Sequence, residues 1–295
     1  MTNVQSSRTD LSVLTRPSGG FAMLAVDQRE AMRAMFAAHQ DAPVSDEQVT
    51  RFKLAAASIL TPYASGVLID KQFAFDQAVA AGVVDDGCGL IAAADHFIAG
   101  PDEFVAEVEI DTAVVPEAVR DQGAVALKLL VIHRPDGDPA VRIRMVEEFV
   151  ARCRAAGLIS IIEPVSKAPR DGRDWDWDDG VLAAARELGA LGADLYKAEV
   201  PLRGQGDAGE IRRRCEAITA AVDSPWVVLS SGVPHELFPD AVRIACSAGA
   251  SGFLAGRAVW ASVIGSADVE HDLRTISVPR LQQLGAVVDE AMERR

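Results

Sequence analysis

Aromatic residues are scarce, 5% of 295, so the sequence offers little for stacking on bases or long apolar chains. Basic residues are also in the minority, 29 against 43 acidic ones. The resulting formal charge of −14 argues against nucleic acid or an anionic membrane as partner. It also means that an anionic metabolite needs a local basic pocket. The four cysteines (Cys88, Cys153, Cys215 and Cys246) stand singly, with no CxxC and no histidine cluster beside them. Reduced thiols fit that spacing better than disulfides or zinc. No apolar run approaches about 18 residues, and "MTNVQSSRTD" lacks the apolar centre of a signal peptide, so a cytoplasmic protein is expected.

The chain does have short apolar runs ending in polar residues, each followed by a helix-like stretch. "FAMLAVD" (21–27), "GVLID" (66–70), "GLIAAAD" (89–95), "AVALKLLVI" (124–132), "LISIIEP" (158–164), "ADLYKAEV" (193–200), "WVVLSSG" (226–232) and "ASGFLAG" (250–256) make eight strand candidates. Continuous rather than alternating apolar runs suit a parallel sheet covered on both faces. Glycines at "AAG", "GALG" and "SAG" stop helices before the next strand. Eight such units predict an α/β TIM barrel as a single domain over 18–295, after an N-terminal extension 1–17. The runner-up, a doubly wound sheet, is weakened by the absence of GxGxxG after the first strand. Residues 96–123 read as an elaborated loop plus a helix, 165–177 as a long loop, and the last 18 residues as an amphipathic helix.

In such a barrel the site lies at the C-terminal strand ends, where Asp27, Asp70, Asp95, Lys128, Glu163, Lys197, Ser230 and Arg257 fall. Asp70 and Asp95 serve equally well as helix N-caps, and Asp27 could cap a helix from Gln28. Lys128 and Lys197 lie inside their apolar runs, where an ammonium must be ion-paired or wanted neutral. Two neighbouring lysines depress each other's pKa, one route to a nucleophilic amine. Glu163, one strand earlier, is either the partner of a lysine or a general acid/base. "LSSGV" (229–233) and "LAGRAVW" (254–260) follow strands seven and eight, where phosphates often bind, with Arg257 suited to a two-pronged contact; the alternative is a glycine-rich turn beside a surface arginine. Gln28 and Arg29 of "DQRE" either hold a second anionic group across the mouth or belong to a solvated helix.

The blocks "SGGFAMLAVDQREAMRAMFAA", "ALKLLVIHR", "GLISIIEPV", "GADLYKAEVPL", "PWVVLSSGV" and "ASGFLAGRAVWASV" closely resemble the sulfofructosephosphate aldolases. Those enzymes belong to the class I family that includes tagatose 1,6-bisphosphate aldolase. The likeness runs from about Ser18 to the final helix. It implies a barrel aldolase without metal or other cofactor, homo-oligomeric, cleaving 6-deoxy-6-sulfofructose 1-phosphate to dihydroxyacetone phosphate and 3-sulfolactaldehyde. By this resemblance Lys197 forms the Schiff base, Glu163 handles protons and Lys128 assists. Ser230, Gly256 and Arg257 would hold the 1-phosphate, and Asp27, Gln28 and Arg29 would reach the substrate and its far end. His133 stands where related sequences tend to carry an aromatic, a change expected at the pocket wall. Tagatose or fructose 1,6-bisphosphate is the rival substrate, and a non-catalytic sugar-phosphate-binding barrel is the rival of another class.

Overall fold

Both faces of each predicted strand have to be buried, and the architecture buries them in two different places. In the computed structural model, which describes residues 10–295, eight parallel strands close into a barrel in the order β1-β2-β3-β6-β7-β8-β9-β10. These are β1 (Phe21–Ala25), β2 (Gly66–Asp70), β3 (Gly89–Ala93), β6 (Ala124–His133), β7 (Ile159–Ser166), β8 (Leu195–Ala198), β9 (Trp226–Val228) and β10 (Gly252–Ala255). An antiparallel hairpin, β4 (Asp95–Ile98) with β5 (Glu107–Ile110), stands outside the barrel order. Along β1, Met23 and Ala25 point into an inner core with Leu68, Ile91, Ala126, Ile161, Leu195, Val227 and Leu254. Ala22 and Leu24 point out to a larger core under the helices. That two-sided burial is why the runs look uninterrupted.

Helices α1 (Glu30–Ala37), α2 (Asp46–Leu60), α3 (Phe75–Ala81), α4 (Pro116–Asp121), α5 (Pro139–Ala156), α6 (Trp177–Leu188), α7 (Ala208–Ala221), α8 (Phe238–Ser247), α9 (Arg257–Trp260), α10 (Val269–Asp272) and α11 (Val278–Glu293) cover the outside. Their starts are chemically marked: Ser45, Asp138, Asp176 and Asp207 each accept a backbone N–H of the turn that follows. At the end of α5, Gly157 takes φ +70° and turns the chain into β7. Gly252 sits where a side chain is excluded, since a Cβ there would meet the Phe21 carbonyl oxygen at 2.0 Å.

One expectation changes. Residues 96–123 hold the β4–β5 hairpin as well as the helix α4; the hairpin strands have four residues each, and β5 alternates exposed and half-buried side chains. So short a half-solvated ribbon carries no apolar run to read. Part of the predicted N-terminal extension packs on the barrel. Residues 1–9 lie outside the described residues, but Leu14 is fully buried in the inner core and Arg16 pairs with Asp289 of α11 at 2.6 Å.

Candidate active site

Inward-facing positions above the apolar layers converge on one polar cluster. Lys128 of β6 is fully buried, with its Nζ 2.6 Å from Asp27 Oδ2, 2.8 Å from Asp95 Oδ2 and 3.2 Å from Glu163 Oε2. Lys197 of β8 lies on the other side of the same carboxylate, its Nζ 2.9 Å from Glu163 Oε2. The strand register explains the sharing, because β7 sits between β6 and β8 and presents Glu163 to both. Glu163 Oε2 has no hydrogen bond of good geometry despite two ammonium groups within ion-pair distance. It is held by charge and stays open to a further donor.

Burial would strip Lys128 of its proton, but Asp27, Asp95 and Glu163 outweigh it and raise its pKa well above the ordinary lysine value. Lys128 is therefore a fixed cation. This corrects the expectation that the two lysines depress each other, as far as Lys128 is concerned, because three carboxylates outvote one like charge. Asp27 is the counterpart: burial pushes its pKa up, and Lys128 and Lys197 more than reverse the effect, holding it as a carboxylate below the usual range. It caps no helix, since α1 starts only at Glu30.

Arg29, placed by sequence at the substrate's far end, is buried. It donates to the Asp95 carbonyl oxygen and Oδ1, both at 2.8 Å, and lies 4.1 Å over the Phe97 ring. Its Nε and the Oε1 of Gln28 are buried and have no hydrogen-bond partner among the described residues. On the opposite side, Ser230 is buried with its Oγ 3.4 Å from the Ala258 N–H. Arg257 donates to Ser231 Oγ. Gly256 has no room for a side chain, because a Cβ would stand 2.2 Å from the Ala25 carbonyl oxygen. Trp260 donates to that oxygen at 2.9 Å and fixes α9 against β1.

His133 does not line the pocket. It falls on the outward phase of β6 and is buried against the helical layer, with Nε2 3.5 Å from Glu187 of α6, so the expectation of an altered wall is withdrawn. Three buried groups went unassigned in the sequence. Asp95 was legible as a strand-end carboxylate but not as the anchor of both Lys128 and Arg29. Lys53 of α2 pairs with Asp70 in full burial; its signal was a lysine in phase with Val49, Phe52 and Ala56. Glu199, just past the end of β8, is buried and accepts the Ser166 N–H at 2.7 Å.

Burial pushes the Glu199 carboxyl up to about 8, with Glu163 adding to the rise while the Ser166 N–H and Arg203 oppose it. A carboxyl with a raised native pKa stabilises the fold below its unfolded pKa and loses that contribution as pH climbs through the native value. Native stability should therefore decline between about pH 5 and 8. Glu199→Gln, whose amide oxygen still accepts from Ser166, should flatten that decline and gain on the order of 3 kcal/mol at pH 9. Urea denaturation of both proteins across this range measures it; parallel pH curves would refute the assignment.

The fold agrees with the comparisons. The DeoC/LacD family aldolase profile matches residues 21–262. The chain belongs to the DeoC/LacD aldolases. Tagatose 1,6-diphosphate aldolase 1 of Streptococcus pyogenes serotype M3 is 28% identical, with 92% of each chain covered. The enzyme of the same name from Streptococcus mutans is also 28% identical, covering 98% of this chain and 97% of its own. Among solved structures, an archaeal fructose 1,6-bisphosphate aldolase superposes with a TM-score of 0.62 at 18% identity, over 95% of this chain and 98% of its own. A fructose-bisphosphate aldolase from Slackia heliotrinireducens gives 0.64 at 16% identity, over 97% and 95%. The structural likeness is one of fold. As a member of this family the chain is an aldolase, a carbon–carbon lyase. Among the described residues, no helix is long and apolar enough to cross a membrane.

Proposed function

We propose that the chain is a metal-independent class I aldolase that cleaves 6-deoxy-6-sulfofructose 1-phosphate to dihydroxyacetone phosphate and 3-sulfolactaldehyde, with Lys197 as the Schiff-base residue. The observation carrying the chemistry is the contact of Lys197 Nζ with Glu163 Oε2 at 2.9 Å beside a permanently charged Lys128. An ammonium against a carboxylate can pass its proton across and become the nucleophile. Lys128 cannot take the same role, since three carboxylates fix its charge.

The amine adds to the C2 carbonyl, and Glu163 returns a proton to the carbinolamine oxygen, which leaves as water. The resulting iminium withdraws electrons from C3. Loss of the C4 hydroxyl proton then breaks the C3–C4 bond, releases the aldehyde and leaves an enamine on Lys197. Protonation at C3 and addition of water to the iminium free dihydroxyacetone phosphate and restore the amine. Ser230, Gly256 and Arg257 would hold the 1-phosphate. Asp27, kept ionised, and Gln28, with its unpaired buried oxygen, face the hydroxyls, while Arg29 is tied to Asp95 and would reach the far end through its remaining donors.

Two anionic ends on one sugar also describe tagatose and fructose 1,6-bisphosphates, and the names of the relatives favour them. The sequence blocks around "SGGFAMLAVDQREAM" and "FLAGRAVWASV" support the sulfonate. Condensation rates with dihydroxyacetone phosphate, measured for 3-sulfolactaldehyde and for glyceraldehyde 3-phosphate, separate the two. A kcat/KM ratio at least tenfold in favour of sulfolactaldehyde is expected; the inverse ratio would move the enzyme to the bisphosphates. A homo-oligomer in the cytoplasm completes the proposal, and sedimentation of the purified protein tests the first part.

A further inference from the structure

Beside the loop that follows β9 lies a cleft of about 210 Å³, lined among others by Ser230, Gly232, His235, Arg257, Ser262 and Arg280. Two guanidinium groups thus face one small space. Arg257 comes from the start of α9 and is held by the Ser231 hydroxyl. Arg280 comes from the first turn of α11, its Nη1 2.6 Å from Ser262 Oγ and 3.5 Å from the Val259 carbonyl oxygen. Hydroxyl and carbonyl oxygens orient these groups without neutralising them. Among the described residues neither arginine has a carboxylate within 4 Å, in a chain that carries an excess of 14 negative charges.

A third arginine adds to the field. Arg203 packs against the far side of the same loop, with Cδ and Nε 3.1 and 3.3 Å from where a Gly232 Cβ would stand. It lies 4.9 Å over the Trp177 ring and also has no carboxylate within 4 Å among the described residues. Its backbone sits at φ +50°, after Leu202 at +54°, in the left-handed region that side chains resist.

Cations left together without counter-charge repel one another, and an incoming anion relieves that repulsion. From this geometry we infer that Arg280 is a substrate-binding residue, pairing with Arg257 to make the cleft selective for a doubly charged phosphoryl group over a singly charged sulfonate. The inference deepens the aldolase reading and rests on it for the identity of the ligand: the phosphorylated end of the ketose lies here, and a sulfonate end lies across the mouth. A phosphate monoester carries about −1.5 to −2 at pH 7, so a second fixed guanidinium adds more to its binding than to that of a monoanion.

The test compares Arg280→Gln with the unaltered enzyme. The KM for dihydroxyacetone phosphate in condensation should rise about 10–100-fold with kcat nearly unchanged. With unphosphorylated dihydroxyacetone, kcat/KM should not move, which a merely structural defect would not spare. Calorimetry should show inorganic phosphate binding weakened by a similar factor and methanesulfonate binding little altered. A folded Arg280→Gln protein with unaltered KM and phosphate affinity overturns the inference, as does equal loss of phosphate and sulfonate. If that variant does not fold, Arg280→Lys carries the test: losing the two-pronged donor should weaken phosphate several-fold, and unchanged affinity overturns the inference. The parent reading fails separately, by the absence of a borohydride-trapped adduct in the unaltered enzyme, and phosphate calorimetry still decides the cleft in that case.

Discussion

Lys197→Ala is expected to lower turnover on the order of 10⁵-fold, because it removes the amine proposed to carry the covalent intermediate. Borohydride reduction with dihydroxyacetone phosphate, followed by peptide mapping, should place the adduct on Lys197 in the unaltered enzyme and find none in the variant. The fold should survive. Glu163 keeps Lys128 at 3.2 Å as a counter-ion when Lys197 is gone, so no carboxylate is left without a cation. Phosphate binding should survive too, because the Ser230–Arg257 cleft does not include Lys197. An adduct on Lys128 would keep the aldolase and overturn the division of roles. No adduct on any lysine, in folded protein that binds its ligand, would revive the non-catalytic sugar-phosphate barrel.

Lys128→Met is expected to have the largest effect on stability. The methionine fills the volume but leaves Asp27, Asp95 and Glu163 around a missing cation. Breaking a buried ion network in this way costs about 3–5 kcal/mol. The cost should depend on pH in a defined direction. Lys128 has a raised native pKa, so its own contribution is complete below the unfolded lysine value and constant through neutral pH. Asp27 has a depressed native pKa, so its contribution is present above the unfolded carboxyl value and is lost in acid. Removing Lys128 takes away the largest part of that depression, with Lys197 and Arg29 left, and the deficit of the variant should shrink as pH falls from about 5 toward 3. Thermal melting across this range measures it; a deficit independent of pH would mean that lost packing, not lost charge, is responsible. Adding Asp27→Asn should recover part of the stability, since Lys128 is its ion-pair partner within 4 Å among the described residues, whereas Asp95 keeps Arg29.

The barrel was legible because each strand is buried on both sides and reads as an apolar run, and because glycines in "AAG", "GALG" and "SAG" mark where helices stop before the next strand. The hairpin of β4 and β5 was not, since "DHFI" and "EVEI" are short and half-solvated. Lys128, Glu163 and Lys197 were legible for one reason: a charge within an apolar run costs too much to leave unexplained. Glu199 carried the same signal and was passed over, because it follows Lys197 so closely that one anomaly hid the other.

By itself the sequence determined which segments are buried, on which strands the ionisable groups stand, and hence that the chemistry gathers at one end of a barrel. The family followed from the same blocks. Tertiary structure alone decided the partners. It gave Lys128 three carboxylates and made it a permanent cation, bound Arg29 to Asp95, and turned His133 away from the mouth. It also brought Arg257 and Arg280, more than twenty residues apart, to one cleft. The reason is one of range. Burial is a local property written in each run of side chains, whereas the charge state of a buried group depends on distances of 3–4 Å across strands that only barrel closure brings together.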